Sequence, residues 1–261
     1  MRRRIANAAP KQPASKTVDS LQRGLEVLRC YQPGEDVLSV AELAIRLELP
    51  QATTLRLLMT LQAHGFLRRI PDGDLFGLDV GCLLVGQAFL SRSTLVRKAR
   101  PVLQNLANRF NLHVILCVPE RKQMLVLAHA NGKTANTLPL GAGLSLPVAT
   151  TAIGCAWLWS QRPIAQGDWI AQLRNNAGTQ EDSSQVAKIY LAFHDIERDG
   201  VCTSYGGWLE GVAMMASSFF LRDGSTAAIG LLKGGSKPGG VSFDPECSLA
   251  LREAAVDMSR T

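Results

Sequence analysis

Between residues 39 and 65 apolar positions recur at helical spacing in two short runs separated by Pro50: Leu43 and Leu47 in the first, Thr54, Leu57, Leu58 and Leu61 in the second. An i, i+3, i+4, i+7 stripe predicts a helix with one packed face. Ser39 followed three residues later by Glu42 has the spacing of a capping box, so the first helix is expected to begin near Val40. Pro50 has no backbone N–H to donate, which ends one helix and suits the first turn of the next. Left facing outward on the second helix are Gln51, Thr53, Leu55, Arg56 and Thr60. Gln and Arg side chains reach adenine and guanine edges, and a leucine can meet a thymine methyl.

The pattern then changes period. Gly65 is placed to stop the helix, Phe66 to Ile70 reads as a strand, Pro71-Asp72-Gly73 as a turn, and Leu75 to Leu78 as the return strand. With a first helix over Ser20 to Tyr31, residues 18–79 read as a winged helix-turn-helix. Arg68 and Arg69 on the wing are placed to neutralise phosphates, the main source of non-specific DNA affinity.

Beyond the wing, Leu83, Leu84, Ala88 and Leu95 give residues 80–96 the seam of a linker helix, and Arg97-Lys98-Ala99-Arg100-Pro101 opens another helix through Phe110. Residues 97–261 alternate strand-like and helix-like runs. Strands are expected at 113–118, 124–130, 137–140, 201–205, 214–220 and 227–232, with helices at 148–159, 184–198 and from Pro245. The fold class is α+β, an antiparallel-sheet domain following a winged helix.

Charge modifies this picture only in part. The chain has 261 residues, a net charge of +6 and a pI near 9.2, which suits a polyanionic partner. Yet Arg2, Arg3, Arg4, Lys11 and Lys16 lie in a tail, residues 1–17, that is expected to be disordered, while residues 18–79 hold six basic against nine acidic residues. Overall charge therefore does not by itself make the winged helix a DNA binder. No apolar h-region follows Arg4, and the apolar run 144–159 is too short and too interrupted to cross a bilayer, so a cytoplasmic protein without a membrane partner is expected. The six cysteines show neither CxxC pairs nor spaced histidine partners, so no metal or other cofactor is expected.

Several stretches together resemble the IclR-type bacterial transcription regulators: SLQRGLEVL, ELAIRLELPQATTLRLLMTLQAHGFL, ARPVLQNLA, LPLGAGLSLPVATTAIGCAW and DGVCTSYGGWLEGVAMMASSFF. The resemblance implies an N-terminal winged helix, a linker helix, and a C-terminal effector domain with a GAF-like sheet. It implies a homodimer or homotetramer on operator DNA, repressing or activating a catabolic operon. By position it assigns the effector site to Ala152 and Ile153 at a helix start, to Ser204 or Tyr205, and to Met214, Gly230 and Leu232. Members that bind short oxoacids carry serines at the last two positions, so this pocket is expected to be more apolar and its effector a larger, aromatic carboxylate. Two departures weaken the wing: Asp74 replaces a frequent basic residue, and Gly77 stands where arginine is common.

The rival from another class is an enzyme using Cys155 or a histidine of the C-terminal domain. His113, His129 and His194 are isolated in sequence, and no GxSxG, Walker or metal motif supports it. A third reading keeps the helix pair as a protein interface without DNA.

Overall fold

The computed structural model describes residues 17–260 apart from 33, 72, 136, 177–179 and 236–242, so the basic tail and Asp72 of the expected turn lie outside the described residues. The chain divides into two compact units, one running through Ala88 and one from Phe89 onward.

In the first unit α1 (Asp19–Arg29) leads through β1 (Leu38–Ser39) into α2 (Val40–Leu47) and α3 (Gln51–Ala63). The hairpin β2 (Leu67–Arg69) and β3 (Leu75–Leu78) follows, and the antiparallel order is β1-β3-β2. The expected first helix ends two residues early, at Arg29. The chain leaves it so that the Tyr31 hydroxyl can donate to the Phe76 carbonyl at 3.0 Å. The short strand β1 was not foreseen, because two residues carry no readable period.

The capping box is present with both halves. The Ser39 N–H donates to Glu42 Oε2 at 2.8 Å, and the Glu42 N–H donates to Ser39 Oγ at 3.1 Å. Glu48 ends α2 with φ of 53°, and Pro50 caps α3 from just outside it. Val27, Leu38, Leu43, Leu58, Leu67 and Phe76 close the core beneath. Gly77 lets the segment leading into β1 approach β3: a Cβ there would lie 2.9 Å from the Asp36 carbonyl oxygen, so a larger residue would push that segment away.

The helix α4 (Val80–Arg92) leaves Val80, Leu83, Leu84, Val85 and Phe89 more than half exposed. Then α5 (Thr94–Phe110) starts three residues before the expected Arg97, because Ser93 Oγ accepts the Val96 N–H as its cap. The proline lies inside the helix.

The second unit is built on one six-stranded antiparallel sheet, in the order β6-β5-β4-β9-β8-β7. Its strands are β4 (His113–Glu120), β5 (Gln123–Asn131), β6 (Ser145–Pro147), β7 (Cys202–Tyr205), β8 (Ala213–Phe220) and β9 (Thr226–Lys233). Between them run α6 (Ala152–Trp159), α7 (Pro163–Asn176) and α8 (Gln180–Asp199), and α9 (Pro245–Ser259) closes the chain. The expected strand at 137–140 is absent, and the edge position is taken by β6, which pairs with β5 instead. The helix α7 was missed, since its apolar residues form no continuous stripe.

Strand residues alternate between two cores. Ile115, Val126, Met214 and Leu232 belong to the core shared with α6 and α8, whereas Val114, Leu116, Ile229 and Leu231 belong to that shared with α5 and α9.

Candidate DNA interface and effector site

The inward side of α3 consists of Thr54 and Leu58, both fully buried, with Leu57 and Leu61 half-buried beside them. Thr54 Oγ1 also returns a hydrogen bond to the Pro50 carbonyl at 3.2 Å, so even the polar member of the stripe is satisfied. Gln51, Leu55, Arg56 and Thr60 are exposed as expected, while Thr53 is half-buried on the flank. The outermost line of the helix holds two residues that sequence reasoning missed. Ala52 and Met59 sit four before and three after Arg56, and Met59 is 58% exposed. A methionine at helical spacing reads as core, which hid this one.

The basic residues around the helix divide by what they already hold. Arg46 is committed to the fold: its guanidinium donates to both Glu35 carboxylate oxygens, at 2.7 and 2.6 Å, and to the Cys30 carbonyl at 2.8 Å. Those bonds hold the Glu35 carboxyl below the usual carboxylate range. On the wing, Arg69 Nη2 meets Asp74 Oδ1 at 2.6 Å, whereas Arg56 and Arg68 stand exposed.

In the second unit the expected effector residues, with one exception, converge on the side of the sheet beneath α6. The Ala152 N–H donates to Ser204 Oγ at 2.8 Å. Ser204 pairs in register with Met214, and Met214 with Leu232. Ile153 Cδ1 lies 3.3 Å from where a Cβ on Gly230 would stand, so the missing side chain of the glycine is replaced by the helix. Tyr205 is the exception, because alternation along β7 puts it on the opposite side of the pleat from Cys202 and Ser204. Gly207 seats the following loop against the start of α6: a Cβ there would overlap the Thr150 carbonyl, and Thr150 Oγ1 donates to the Gly207 carbonyl. The Trp157 indole N–H, one turn beyond Ile153, is buried with no hydrogen-bond partner among the described residues.

The same side carries a feature that sequence spacing concealed. His113 on β4 and His129 on β5 stack with ring centroids 5.3 Å apart, and His113 Nδ1 lies 3.0 Å from His129 Nε2. Burial, and to a smaller degree His113, holds His129 below the ordinary histidine value of 6.5.

The first unit matches the IclR helix-turn-helix domain over residues 20–71, and the second matches the bacterial transcriptional regulator IclR C-terminal domain over residues 87–260. The chain belongs to the IclR family. Within that family it is 30% identical over 189 residues to the HTH-type transcriptional regulator TsaQ1/TsaQ2 of Comamonas testosteroni, covering 72% of this chain and 67% of that protein. An IclR family transcriptional regulator from Brucella abortus superposes with a TM-score of 0.86 at 27% identity, over 97% of this chain and 96% of that one. An IclR homologue from Microbacterium hydrocarbonoxydans, solved in complex with 4-hydroxybenzoate, shares the fold with a TM-score of 0.66 at 18% identity, over 92% and 98% of the two chains.

As an IclR-family protein the chain is a DNA-binding transcriptional regulator of mixed α+β fold. Of the residues raised for an enzymatic reading, Cys155 is buried, and burial pushes its thiol up to about 12, which disfavours the thiolate. Among the described residues no three His, Cys, Asp or Glu side chains are placed to hold a metal, and no helix is long and apolar enough to cross a membrane.

Proposed function

We propose that this chain is a ligand-responsive regulator of a catabolic operon whose effector is a small carboxylic acid with an apolar, aromatic body. In this reading Gln51, Thr53, Leu55, Arg56 and Thr60 face the bases of the operator, joined by Ala52 and Met59, while Arg68 and Arg69 meet phosphates. The observation that carries it is the exposed outer face of α3 over a fully packed inner one, because a helix held rigidly on one side can present the other to a major groove.

The apolar residues of α4 support a second copy of the chain as partner. Val80, Leu83, Leu84, Val85 and Phe89 are each at least 57% exposed, more apolar surface than one helix ordinarily shows to water. Two copies would add their base-reading energies on a palindromic operator.

Ala152, Ile153, Ser204, Met214, Gly230 and Leu232 form the effector face. Its apolar lining favours a ring over a two- or three-carbon oxoacid, and the 4-hydroxybenzoate bound by the Microbacterium homologue is a compound of that kind. Because Ile153 fills the space over Gly230, a ligand there must displace the start of α6. Binding would therefore favour one arrangement of the effector unit over another, and a coupling of about 1–3 kcal/mol to operator affinity is usual for such linkage.

The test is fluorescence anisotropy of a labelled duplex from upstream of its own gene, titrated with the full chain with and without aromatic acids. Sequence-dependent binding that shifts with an acid is expected. Binding that ignores both sequence and acid would remove the reading.

A further inference from the structure

The side of α6 that faces the sheet is fixed at two points along β9. Ile153 stands over Gly230, and Gln161, just past the end of the helix, donates from Nε2 to Thr226 Oγ1 at 3.2 Å. Trp157 is four residues from each, so it lies on the same stripe, midway between those contacts. Residues 226, 228 and 230 share one side of β9, which places the indole toward Ala228. In register with Ala228 stand Cys117 on β4 and Ser218 on β8, while Ile115 and Ala216 flank Gly230. Ala216, Ala228 and Cys117 are fully buried, and with Gly230 they give the sheet beneath α6 a floor of short side chains. A flat ring can lie on such a floor.

The polar groups around this stripe are engaged, apart from one. The Ala152 N–H is held by Ser204 Oγ at 2.8 Å, the Gly154 N–H by Thr151 Oγ1 at 3.2 Å, and the Cys202 thiol donates to the Ala152 carbonyl at 3.2 Å. The Trp157 carbonyl accepts from Ser160 Oγ at 2.6 Å and from Gln161 Nε2 at 3.2 Å. The Trp157 Nε1–H differs: it is shut off from water, and among the described residues it is the only buried side-chain nitrogen or oxygen without a partner. Phenylalanine would fill the stripe without stranding a donor, and a stranded donor destabilises the fold. An acceptor from outside the chain accounts for it.

The surroundings set what that acceptor is. Ser218, Ala228, Cys117 and Ala216 offer no positive charge, so a carboxylate buried over them would lack a counter-charge, whereas a neutral oxygen needs none. The carboxylate then stays at the start of α6, one helical turn or about 5.4 Å back along the axis. That is comparable to the span from the carboxyl carbon of a benzoate to an oxygen opposite it on the ring.

Resting on the acid-effector reading above, we propose that the Trp157 indole N–H donates to a neutral oxygen carried on the ring of the effector, opposite the carboxylate. Trp157 thereby selects among aromatic acids by what stands at the far end of the ring.

The experiment is calorimetric titration of the full chain with two matched pairs of benzoates, 4-hydroxy against 4-methyl and 4-methoxy against 4-ethyl, on the wild type and on Trp157→Phe. The wild type is expected to bind an oxygen-bearing acid about tenfold more tightly than its hydrocarbon match, and Trp157→Phe to bind the two alike. The Trp157 Nε1–H proton resonance, identified by its loss in Trp157→Phe, should move downfield with the oxygen-bearing acid and not with its match. An oxygen preference of the same size in Trp157→Phe, or none in the wild type, overturns the indole contact while leaving the acid-effector reading intact. If neither pair binds the wild type, both fall. Should Trp157→Phe not fold, the wild-type indole resonance, assigned through its own backbone, decides alone.

Discussion

The proposed reading face of α3 and the proposed effector face under α6 solve opposite problems. The first presents Gln51, Arg56 and Met59 to water from a single helix, and nothing in the core depends on them. The second is assembled from three strands and a helix, is almost wholly apolar, and is also part of the core that holds its unit together. Changes on the first should therefore alter binding and spare stability, whereas changes on the second should alter both. A regulator so built can vary its operator cheaply, but a new effector requires the core to be repacked.

The largest effect expected from that contrast is in the core beneath α6. Ile115 is fully buried between Gly230 and His129, and Ile115→Ala should cost about 2–5 kcal/mol in a denaturant melt of the full chain, with the first unit keeping its structure. A loss below 1 kcal/mol would mean that this face is loosely packed and that stability and ligand binding separate after all.

On α3 the order reverses. Arg56→Ala should leave the melt within about 0.5 kcal/mol of the wild type and cost about 1–3 kcal/mol on the operator if Arg56 reads a guanine. An equal loss on every duplex would instead make it a phosphate contact.

These two regions were also unequally legible in the amino-acid sequence. The capping box at Ser39 and Glu42, the stripe from Thr54 to Leu61 and the hairpin through Leu75 are local patterns, and a local pattern carries its own geometry. His113 and His129 stand sixteen residues apart, and only the antiparallel pairing of β4 with β5 makes them neighbours, so they read as isolated. Residues 137–140 have strand-like content but join no strand ladder among the described residues, and β6 takes the edge beside β5. Family resemblance pointed to Ser204, Met214, Gly230 and Leu232, which the sheet brings side by side, but the engagement of α6 N–H groups by Ser204 and Thr151 was not visible without coordinates.

A smaller effect tests how rigidly the reading face is held. Ser39→Ala removes the acceptor for the Glu42 N–H, and loss of such a cap costs about 0.5–2 kcal/mol. Since α2 packs on α3, the operator affinity should fall with it, but only when the assay is run near the melting temperature. A fall of equal size far below melting would mean that α2 itself touches DNA.

The smallest effect concerns the wing, where charge and not packing decides. Arg69 and Asp74 are 52% and 73% exposed, so their ion pair contributes little to folding, and Asp74→Asn should move the melt by no more than a few tenths of a kcal/mol. The backbone carbonyl of Asp74, which accepts the Val40 N–H at 3.1 Å, is retained in the variant. What changes is the charge available to DNA, because Arg69 loses its carboxylate partner in a winged-helix segment, residues 18–79, that carries nine acids against six bases. If Arg69 then neutralises one phosphate, affinity should rise at low salt and the slope of log K against log salt should steepen by about 0.9. An unchanged slope would mean that the wing hairpin stands away from the duplex, leaving recognition to α3 and Arg68.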